Sequence, residues 1–248
     1  MVSPAQGVTK KGQISVCMPC WNRQAALDRC LQSYAEQYGP DQQALEFSVC
    51  DDGSSPPVHA PDWVLLTQAS PPRVQALNPC LPLNRAVRAS HGDIIVLTNP
   101  EVLHATPILW EMWQLLDGPL DYVTARCRDE RTGMWLAGSE VDYSTGGRLP
   151  VPPGAHFHFL AMLRRELWEK AGGFDKAYRR GQACDDNDWL WRLAEAGARF
   201  RTTTQVAVHG SLAPKVRWGL PFNGPLFECK WPAERRAAVV AAREEAVA

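Results

Sequence analysis

The nine-residue segment 94–102, IIVLTNPEV, constrains the fold of this chain more than any other stretch. Four apolar residues in a row are followed by Thr, Asn, Pro and Glu, which is typical of a buried strand with an abrupt end. Asn99 and Glu101 then lie at the C-terminal tip of the strand, and ligands of open α/β sheets bind outside such tips. Two oxygen-bearing side chains this close can share a hard cation or a phosphate group. The alternative is that Asn-Pro begins a turn, and the segment alone favours the turn.

The chain on either side of this segment alternates between strand and helix patterns. Apolar runs at 14–18 and 47–50 predict strands, and the helical spacing of apolar residues over 23–38 predicts a helix with Asn22 as its N-cap. A further helix is predicted at 82–90. Such alternation is typical of a mostly parallel sheet with helices on both faces, so we predict an α/β fold.

The second half of the chain is less regular. Residues 126–153 are rich in glycine, charge and turn residues, which predicts a long loop or a hairpin over one end of the sheet. Beyond it, two short strands are predicted at 200–203 and 206–208. The predicted units are a disordered lead-in at 1–12, one domain at 13–210, and a C-terminal extension at 211–248 whose terminal helix packs on the same domain.

Composition limits the compartment and the partners. A formal net charge of −1 argues against a surface built to coat nucleic acid or anionic lipid. No apolar run approaches the about 20 residues of a membrane-spanning helix, and the N-terminus lacks the apolar core of a signal peptide. We therefore expect a cytoplasmic protein whose eight cysteines are reduced and mostly buried. Cys17 and Cys20 form a lone C-x-x-C without a second pair, which disfavours a zinc site.

Two acidic clusters are candidates for chemistry. Asp51 and Asp52 follow the strand at 47–50, where they could accept hydrogen bonds from a base or a ribose, although Asp-Gly-Ser is also common turn chemistry. Asp185, Asp186 and Asp188 open a predicted helix, where capping and the helix dipole favour carboxylates. Three carboxylates flanked by tryptophans exceed what capping requires. One of them is suited to act as a general base.

Five segments in a fixed order resemble a known family. They read MPCWNR, CDDGSS, LNRAVRASHGDIIVLTNPE, GGFDKAYRRGQACDDNDWLWRL and VHG, and they extend over residues 14–209. Together they resemble the GT-A glycosyltransferases of the family-2 type, and the GGFD segment resembles the galactosyltransferase-like members. The resemblance implies a single Rossmann-like GT-A domain and a nucleotide-sugar-dependent, hexosyltransferase-like enzyme.

The resemblance also assigns roles to individual residues. Asp186 corresponds to the catalytic base of inverting members. The positions that correspond to nucleotide binding are Pro19, Trp21, Asn22, Arg23, Asp51, Asp52 and Asn84. The positions that correspond to acceptor or sugar binding are Gly173, Phe174, Asp175, Asp185 and Trp189.

A metal site is implied at Asn99, Glu101 and His209, which would hold Mn²⁺ or Mg²⁺. Here Asn-Pro-Glu replaces the Asp-x-Asp of the family, which removes one negative charge, so we expect weaker metal binding and leave open whether a metal is required. His209 taken alone could equally be a buried, satisfied histidine.

The resemblance implies an inverting glycosyltransferase that moves a sugar from a nucleoside-diphosphate sugar, a UDP-sugar, to an acceptor hydroxyl. The alternative is a degenerate protein that binds a nucleotide sugar or carbohydrate without turnover, and the substitution at Asn99 motivates it. A nucleotidyltransferase or a dinucleotide oxidoreductase is disfavoured because no glycine-rich phosphate loop follows the first strand.

The acceptor class stays open, with a glycan and a modified nucleic acid among the candidates. The C-terminal part has basic residues interleaved with aromatic ones, which indicates either a patch for a phosphate-bearing acceptor or a solvated face. Its members are Lys215, Arg217, Trp218, Lys230, Arg235 and Arg236.

Overall fold

The computed structural model describes residues 14–69, 78–137, 156–210 and 222–245, which form a nine-stranded sheet flanked by helices. The strands are β1 (Ile14–Cys20), β2 (Leu45–Asp51), β3 (Val64–Gln68), β4 (Ile94–Thr98), β5 (Val102–Leu103), β6 (Asp121–Asp129), β7 (Trp135–Ala137), β8 (Leu160–Arg164) and β9 (Arg199–His209). The helices are α1 (Gln24–Tyr38), α2 (Cys80–Ala89), α3 (Ile108–Leu115), α4 (Arg165–Ala171), α5 (Asp185–Glu195), α6 (Asn223–Lys230) and α7 (Ala233–Glu245). Two 3₁₀ segments lie at Gly39–Ala44 and Lys176–Arg180. The predicted lead-in at 1–12 lies outside the described residues.

The strand order is β3-β2-β1-β4-β8-β6-β9-β5, with β7 paired to β6. The four strands from β3 to β4 run parallel, whereas β8 is antiparallel to both of its neighbours. The predicted α/β fold with a mostly parallel sheet is confirmed, and the antiparallel pairs make the sheet mixed. The chain leaves β1 toward β2 on one side and reaches β4 on the other, so a crevice opens between the ends of β1 and β4.

Helices cover both faces of the sheet, as the alternating pattern predicts. On one face, Leu27 and Tyr34 of α1 pack with Met112 of α3 against the sheet. On the other face, Leu83 of α2 and Trp189 of α5 belong to a second buried cluster. Burying a large apolar side chain contributes about 1.5–3 kcal/mol, so these two layers supply most of the stabilisation that holds the strand ends in place.

The prediction that Asn22 caps α1 is wrong. Arg23 occupies the N-cap position and makes no side-chain capping bond. Asn22 instead has a positive φ of 51°. Its Oδ1 accepts a hydrogen bond from the Ser55 N–H at 2.8 Å, and its own N–H donates to Ser54 Oγ at 2.9 Å. An Asn side chain competes for nearby backbone groups outside helices, and here the loop after β2 is the stronger competitor.

Three further elements differ from the predictions. The strands predicted at 200–203 and 206–208 are one strand, β9, whose pairing with β6 shifts register between Thr124 and Arg126. The sequence pattern did not predict α6, a short helix that contains Gly224 and Pro225, two residues that weaken a helical signal. The predicted loop or hairpin over 126–153 is a hairpin in its first part, where β7 pairs with β6, and residues 138–155 lie outside the described ranges.

The described part of the C-terminal extension packs against α5. Tyr178, Trp191, Phe227, Trp231 and Val239 form a third buried cluster. The domain boundary at residue 211 stays a prediction, because the residues around it are outside the described ranges. Among the helices of the described ranges, none combines the length and the apolar character needed to cross a membrane.

Candidate active site

A cavity of about 220 Å³ opens at the carboxyl ends of β1, β2 and β4. Parallel strands bring these ends to one edge of the sheet, since Cys20 of β1 pairs with Asp51 of β2 and Cys17 pairs with Leu97 of β4. The cavity therefore gathers residues from four separate parts of the chain. Its walls are formed by Pro19, Cys20, Trp21, Arg23, Asp52, Pro79, Asn99, Pro100 and Glu101.

The two aspartates after β2 have different positions. The buried carboxylate of Asp51 accepts hydrogen bonds from the N–H groups of Ser54 at 2.9 Å and Val58 at 3.3 Å, which folds the loop back on itself. Asp52 lines the cavity, and its N–H donates to Cys20 O at 2.8 Å. Asp51 thus shapes the loop, whereas Asp52, which is also buried, forms part of the cavity wall. Nucleotide binding by either residue stays a prediction.

An ion pair crosses the cavity mouth. The Arg23 Nε–H donates to Glu101 Oε1 at 3.0 Å, with the Arg23 side chain 39% and the Glu101 side chain 19% exposed. The backbone of Glu101 is fixed as well, because its carbonyl accepts a hydrogen bond from the Gly210 N–H at 2.7 Å. The loops after β1 and β4, predicted to bind the base and the metal, are therefore joined by opposite charges.

The third predicted metal ligand, His209, lies close to Glu101 in the sheet because of its strand pairing. It ends β9, where it pairs with Val102, the residue after Glu101. Its ring packs edge-on against Phe159, with the ring centroids 5.6 Å apart.

The side chains of Asn99, Glu101 and His209 do not fit a preformed site for a divalent cation. Within the described ranges, no three His, Cys, Asp or Glu side chains are grouped so that they could hold one metal ion. The carboxylate of Glu101 is engaged by a guanidinium, and Asn99 offers a neutral amide where Mg²⁺ and Mn²⁺ favour charged oxygen ligands.

Asn84 is used within the protein. Its Nδ2 donates to Phe174 O at 2.7 Å, and its Oδ1 accepts from the Phe174 N–H at 2.9 Å, so the amide clamps the GGFD segment onto α2. Gly173 makes this approach possible. It has a positive φ of 65°, and a Cβ there would lie 2.9 Å from Asn84 Oδ1 and 2.8 Å from the ring of Trp168. The Asn84 side chain thus holds the GGFD segment in place. Nucleotide contact by this side chain stays a prediction.

The predicted acceptor residues Phe174 and Trp189 lie in the core. Both are buried, and their ring centroids are 5.1 Å apart. The ring of Trp168 packs on Trp189 at 4.9 Å and closes the group. The two aromatic side chains therefore belong to the core that carries the GGFD segment and α5. Direct contact with an acceptor would require them to become exposed.

Asp175, also predicted on the acceptor side, is held by two donors. Its carboxylate accepts from the Ala177 N–H at 2.8 Å and pairs with Lys230 Nζ at 2.8 Å. Burial alone would raise the pKa of Asp175, but the Lys230 ammonium and the Ala177 N–H hold it below its usual value.

The acidic pair at the start of α5 lies in a different electrostatic environment. Burial, with the neighbouring negative charge of Asp185 as the second cause, raises the pKa of Asp186 to about 7. Burial likewise raises the pKa of Asp185, against the opposing effect of a hydrogen bond with the Asn78 side chain. Asn78 directly precedes Pro79, which lines the cavity. Asp185 is therefore linked to the cavity wall through the consecutive residues Asn78 and Pro79, and Asp186 is its neighbour in sequence.

Asp188, two residues further along α5, has a structural role that the sequence did not predict. Its fully buried carboxylate accepts hydrogen bonds from Arg192 Nε at 2.8 Å, Trp231 Nε1 at 2.9 Å and the Tyr178 hydroxyl at 3.4 Å. It also pairs closely with Lys230 Nζ. The spacing of Asp188 and Arg192, four residues apart, was the local signal for this network.

The predicted basic patch is mostly neutralised within the chain. Arg235 pairs with Glu195 at 2.8 Å and Arg236 with Glu228 at 3.2 Å, while Lys230 pairs with the two aspartates described above. The other members, Lys215, Arg217 and Trp218, lie outside the described residues. The described members thus hold α6 and α7 against the domain.

The fold is that of the GT-A glycosyltransferases. It matches the structure of mannosyltransferase PcManGT from Pyrobaculum calidifontis in complex with GDP-Man and Mn²⁺, with a TM-score of 0.55 and 21% identity over 96% of this chain and 77% of that chain. It also matches residues 1–349 of S. aureus TarS, with a TM-score of 0.54 and 13% identity over 80% of this chain and 60% of that one. These likenesses concern the fold.

Residues 15–61 match the family model described as Glycosyl transferase family 2, a range that includes β1, α1, β2 and the CDDGSS loop. A relative from Mycobacterium tuberculosis (strain CDC 1551 / Oshkosh), the uncharacterized protein MT1568, is 31% identical over 136 residues. That match covers 53% of this chain and 38% of the relative, so the chain spans less than half of the relative's length. The resemblance to family-2 glycosyltransferases is confirmed, for the family model over 15–61 and for the GT-A fold over nearly the whole chain.

Proposed function

We propose that this chain is an inverting glycosyltransferase that moves a sugar from a nucleoside-diphosphate sugar, a UDP-sugar, to an acceptor hydroxyl. One observation carries the proposal: a cavity at the carboxyl edge of a GT-A sheet is joined through Pro79 and Asn78 to Asp185, and the next residue, Asp186, has its pKa raised to about 7. Binding a donor and activating an acceptor need these two parts side by side.

The donor nucleotide is assigned to the cavity. Pro19 and Trp21, from the end of β1, supply a rigid apolar wall for the base, and Asp52 supplies a carboxylate for hydrogen bonds from the base or ribose. Asn22 and Asp51 act indirectly, since both hold the loop that carries Asp52.

The chemical step is assigned to Asp186. Its carboxylate takes the proton from the acceptor hydroxyl while that oxygen attacks the anomeric carbon from the face opposite the diphosphate. The bond between the anomeric carbon and the diphosphate oxygen breaks, and the nucleoside diphosphate departs with the electron pair. A base whose pKa is about 7 is well matched to neutral pH, because a large fraction is ionised and it still binds the proton effectively.

The acceptor side is assigned to the GGFD segment and the start of α5. Asn84 holds Phe174, and Lys230 joins Asp175 to Asp188 of α5, so the segment is fixed against the helix that carries Asp186. A glycan and a modified nucleic acid both offer a hydroxyl of the kind this step needs. PcManGT was seen with Mn²⁺. The side chains of Asn99, Glu101 and His209 do not fit the predicted Mn²⁺ or Mg²⁺. The proposed reaction therefore uses no metal ion.

The test is transfer by the Asp186→Asn variant, with a panel of nucleotide sugars and acceptors. We expect transfer to fall by about 10²–10⁴-fold, the usual contribution of a general base, with nucleotide binding unchanged. Asp117→Asn is a matched control because Asp117 is a surface carboxylate with only a 4.0 Å contact to Arg201. Wild-type transfer by Asp186→Asn would show that another group is the base. Nucleotide-sugar binding without diphosphate release to any acceptor or water would favour the non-catalytic binding protein.

A further inference from the structure

We propose that Arg23, the ion-pair partner of Glu101, is the positive charge that binds the diphosphate of the donor, and that this binding needs no divalent cation. The proposal rests on the proposed function and names the group that carries out one part of it. It assigns Glu101 the role of an ion-pair partner that Arg23 exchanges for the diphosphate, in place of the metal-binding role that the family resemblance implies.

The first argument is the position of the guanidinium. Arg23 lies directly before α1, lines the cavity, and reaches from the loop after β1 to the loop after β4. Its Nε–H donates to Glu101 Oε1 at 3.0 Å and its Nη1 to Asn22 O at 3.3 Å, so the planar group is oriented from two sides. A guanidinium presents its N–H groups as a rigid fork that matches two phosphate oxygens, which makes an oriented arginine a ready phosphate ligand.

The second argument is the distribution of charge along the cavity wall. The acidic and basic side chains among its lining residues are the guanidinium of Arg23 and the carboxyl groups of Asp52 and Glu101. If Glu101 bound a metal ion, it would have to release Arg23, and the metal and the guanidinium would then compete for the same carboxylate. A diphosphate carries more negative charge than a carboxylate, so it can draw Arg23 away from Glu101 without any added cation.

The third argument is the neutral residue at position 99. An aspartate there would serve a metal ion but would repel a diphosphate held by an arginine. Asn99 removes that charge, and its amide N–H groups can donate to phosphate oxygens. The neutral Asn99 and the Arg23–Glu101 pair thus both favour diphosphate binding by Arg23 without a metal ion.

The test is calorimetric titration of UDP and GDP into the full chain, in EDTA and again with Mn²⁺. We expect binding in EDTA to match binding with Mn²⁺. Arg23→Ala should weaken it by about tenfold or more, the usual loss for one charge-assisted hydrogen-bonded contact. Glu101→Gln should bind equally well or more tightly, because it removes a competing partner and a repelling charge. Asn99→Asp should weaken binding in EDTA.

The matched control is Arg29→Ala. Arg29 lies on the same helix, α1, and pairs with Glu130 at 3.1 Å at a comparable exposure of 45%, but it does not line the nucleotide cavity. Its removal should leave UDP and GDP binding unchanged, and thermal unfolding of each variant confirms that the fold is intact. Arg23→Lys, which keeps the charge but loses the fork, should fall between wild type and Arg23→Ala.

The outcomes separate this proposal from the proposed function. Binding that requires Mn²⁺ and is lost in Glu101→Gln would make Glu101 a metal ligand, which overturns the role of Arg23 and leaves the glycosyltransferase standing. Binding that is unaffected by Arg23→Ala would overturn it as well. Failure of the wild-type chain to bind either nucleotide, with or without Mn²⁺, would contradict the proposed function itself.

Discussion

Two aspartates in one helix, only two positions apart, have opposite surroundings. Asp188 is fully buried, and Arg192, Lys230, Trp231 and Tyr178 all donate to its carboxylate. Asp186 lies beside another carboxylate, and burial with that neighbour raises its pKa to about 7. Residue type is the same, so the difference arises from the partners: a like charge directly precedes Asp186, whereas cations and neutral donors surround Asp188.

The comparison separates structural from chemical use of a buried carboxylate. A buried charge surrounded by donors is stable as a carboxylate and holds elements together. A buried charge beside a like charge binds a proton near neutral pH, and this is the property that a general base requires. The C-terminal extension supplies two of the four donors to Asp188, Lys230 and Trp231. It therefore neutralises Asp188 but not Asp186.

The largest expected effect comes from removing the charge of Asp188. In Asp188→Asn, the ammonium of Lys230 and the guanidinium of Arg192 lose their buried counter-ion. We expect the free energy of unfolding to fall by about 3 kcal/mol, as for a broken buried ion pair. Urea denaturation measures it, with Asp117→Asn as the surface control. A loss no larger than that of the control would show that the Asp188 network contributes little.

The second largest expected loss of stability comes from removing the ammonium group of Lys230. Lys230→Met keeps much of the apolar stem but leaves Asp175 and Asp188 without the ammonium that joins them. We expect a loss of about 2 kcal/mol in unfolding free energy, since charge-assisted hydrogen bonds are removed from the buried Asp188 and the half-buried Asp175. Arg235→Ala breaks the exposed pair with Glu195 near the same helix and should cost below about 1 kcal/mol. Equal losses in the two variants would contradict the special role of Lys230.

The smallest stability effect is a pH dependence from Asp186. The folded-state pKa of about 7 is above the ordinary aspartate value of 3.8, so the folded state binds the extra proton and stability falls as pH rises between these values. Relative to Asp186→Asn, the wild-type chain should therefore lose about 1–2 kcal/mol between pH 4 and pH 7, less than the full shift would give because the Asp186 side chain is half-buried and partly screened by solvent. Denaturation at several pH values measures it. Parallel stability curves for the two proteins would show that Asp186 is not perturbed.

Local patterns were enough to predict the strands and helices that have strong periodicity. The buried run of β4 and the spaced apolar residues of α1 were both identified from sequence, and the family resemblance placed Trp21, Arg23, Asp52 and Glu101 at one edge of the sheet. The structure brings all four to the same cavity.

Contacts between distant residues could not be predicted in the same way. Asn84 clamps Phe174 across 90 residues, and Lys230 reaches Asp188 across 42. Neither pair has a local pattern, because a side-chain hydrogen bond depends on where the fold brings two elements together. For the same reason, Asn22 was assigned to the helix that follows it, while its partners belong to the loop after β2.

The most direct measurement of the role of Asp186 is the pH dependence of the maximal transfer rate at saturating donor and acceptor. A general base must be ionised, so the rate should rise with pH and level off above an apparent pKa near 7. In Asp186→Asn the residual rate should lose this rise, and in Lys230→Met the rise should persist. A wild-type rate that is flat across this range, or a rise that survives in Asp186→Asn, would contradict the assignment of Asp186 as the base.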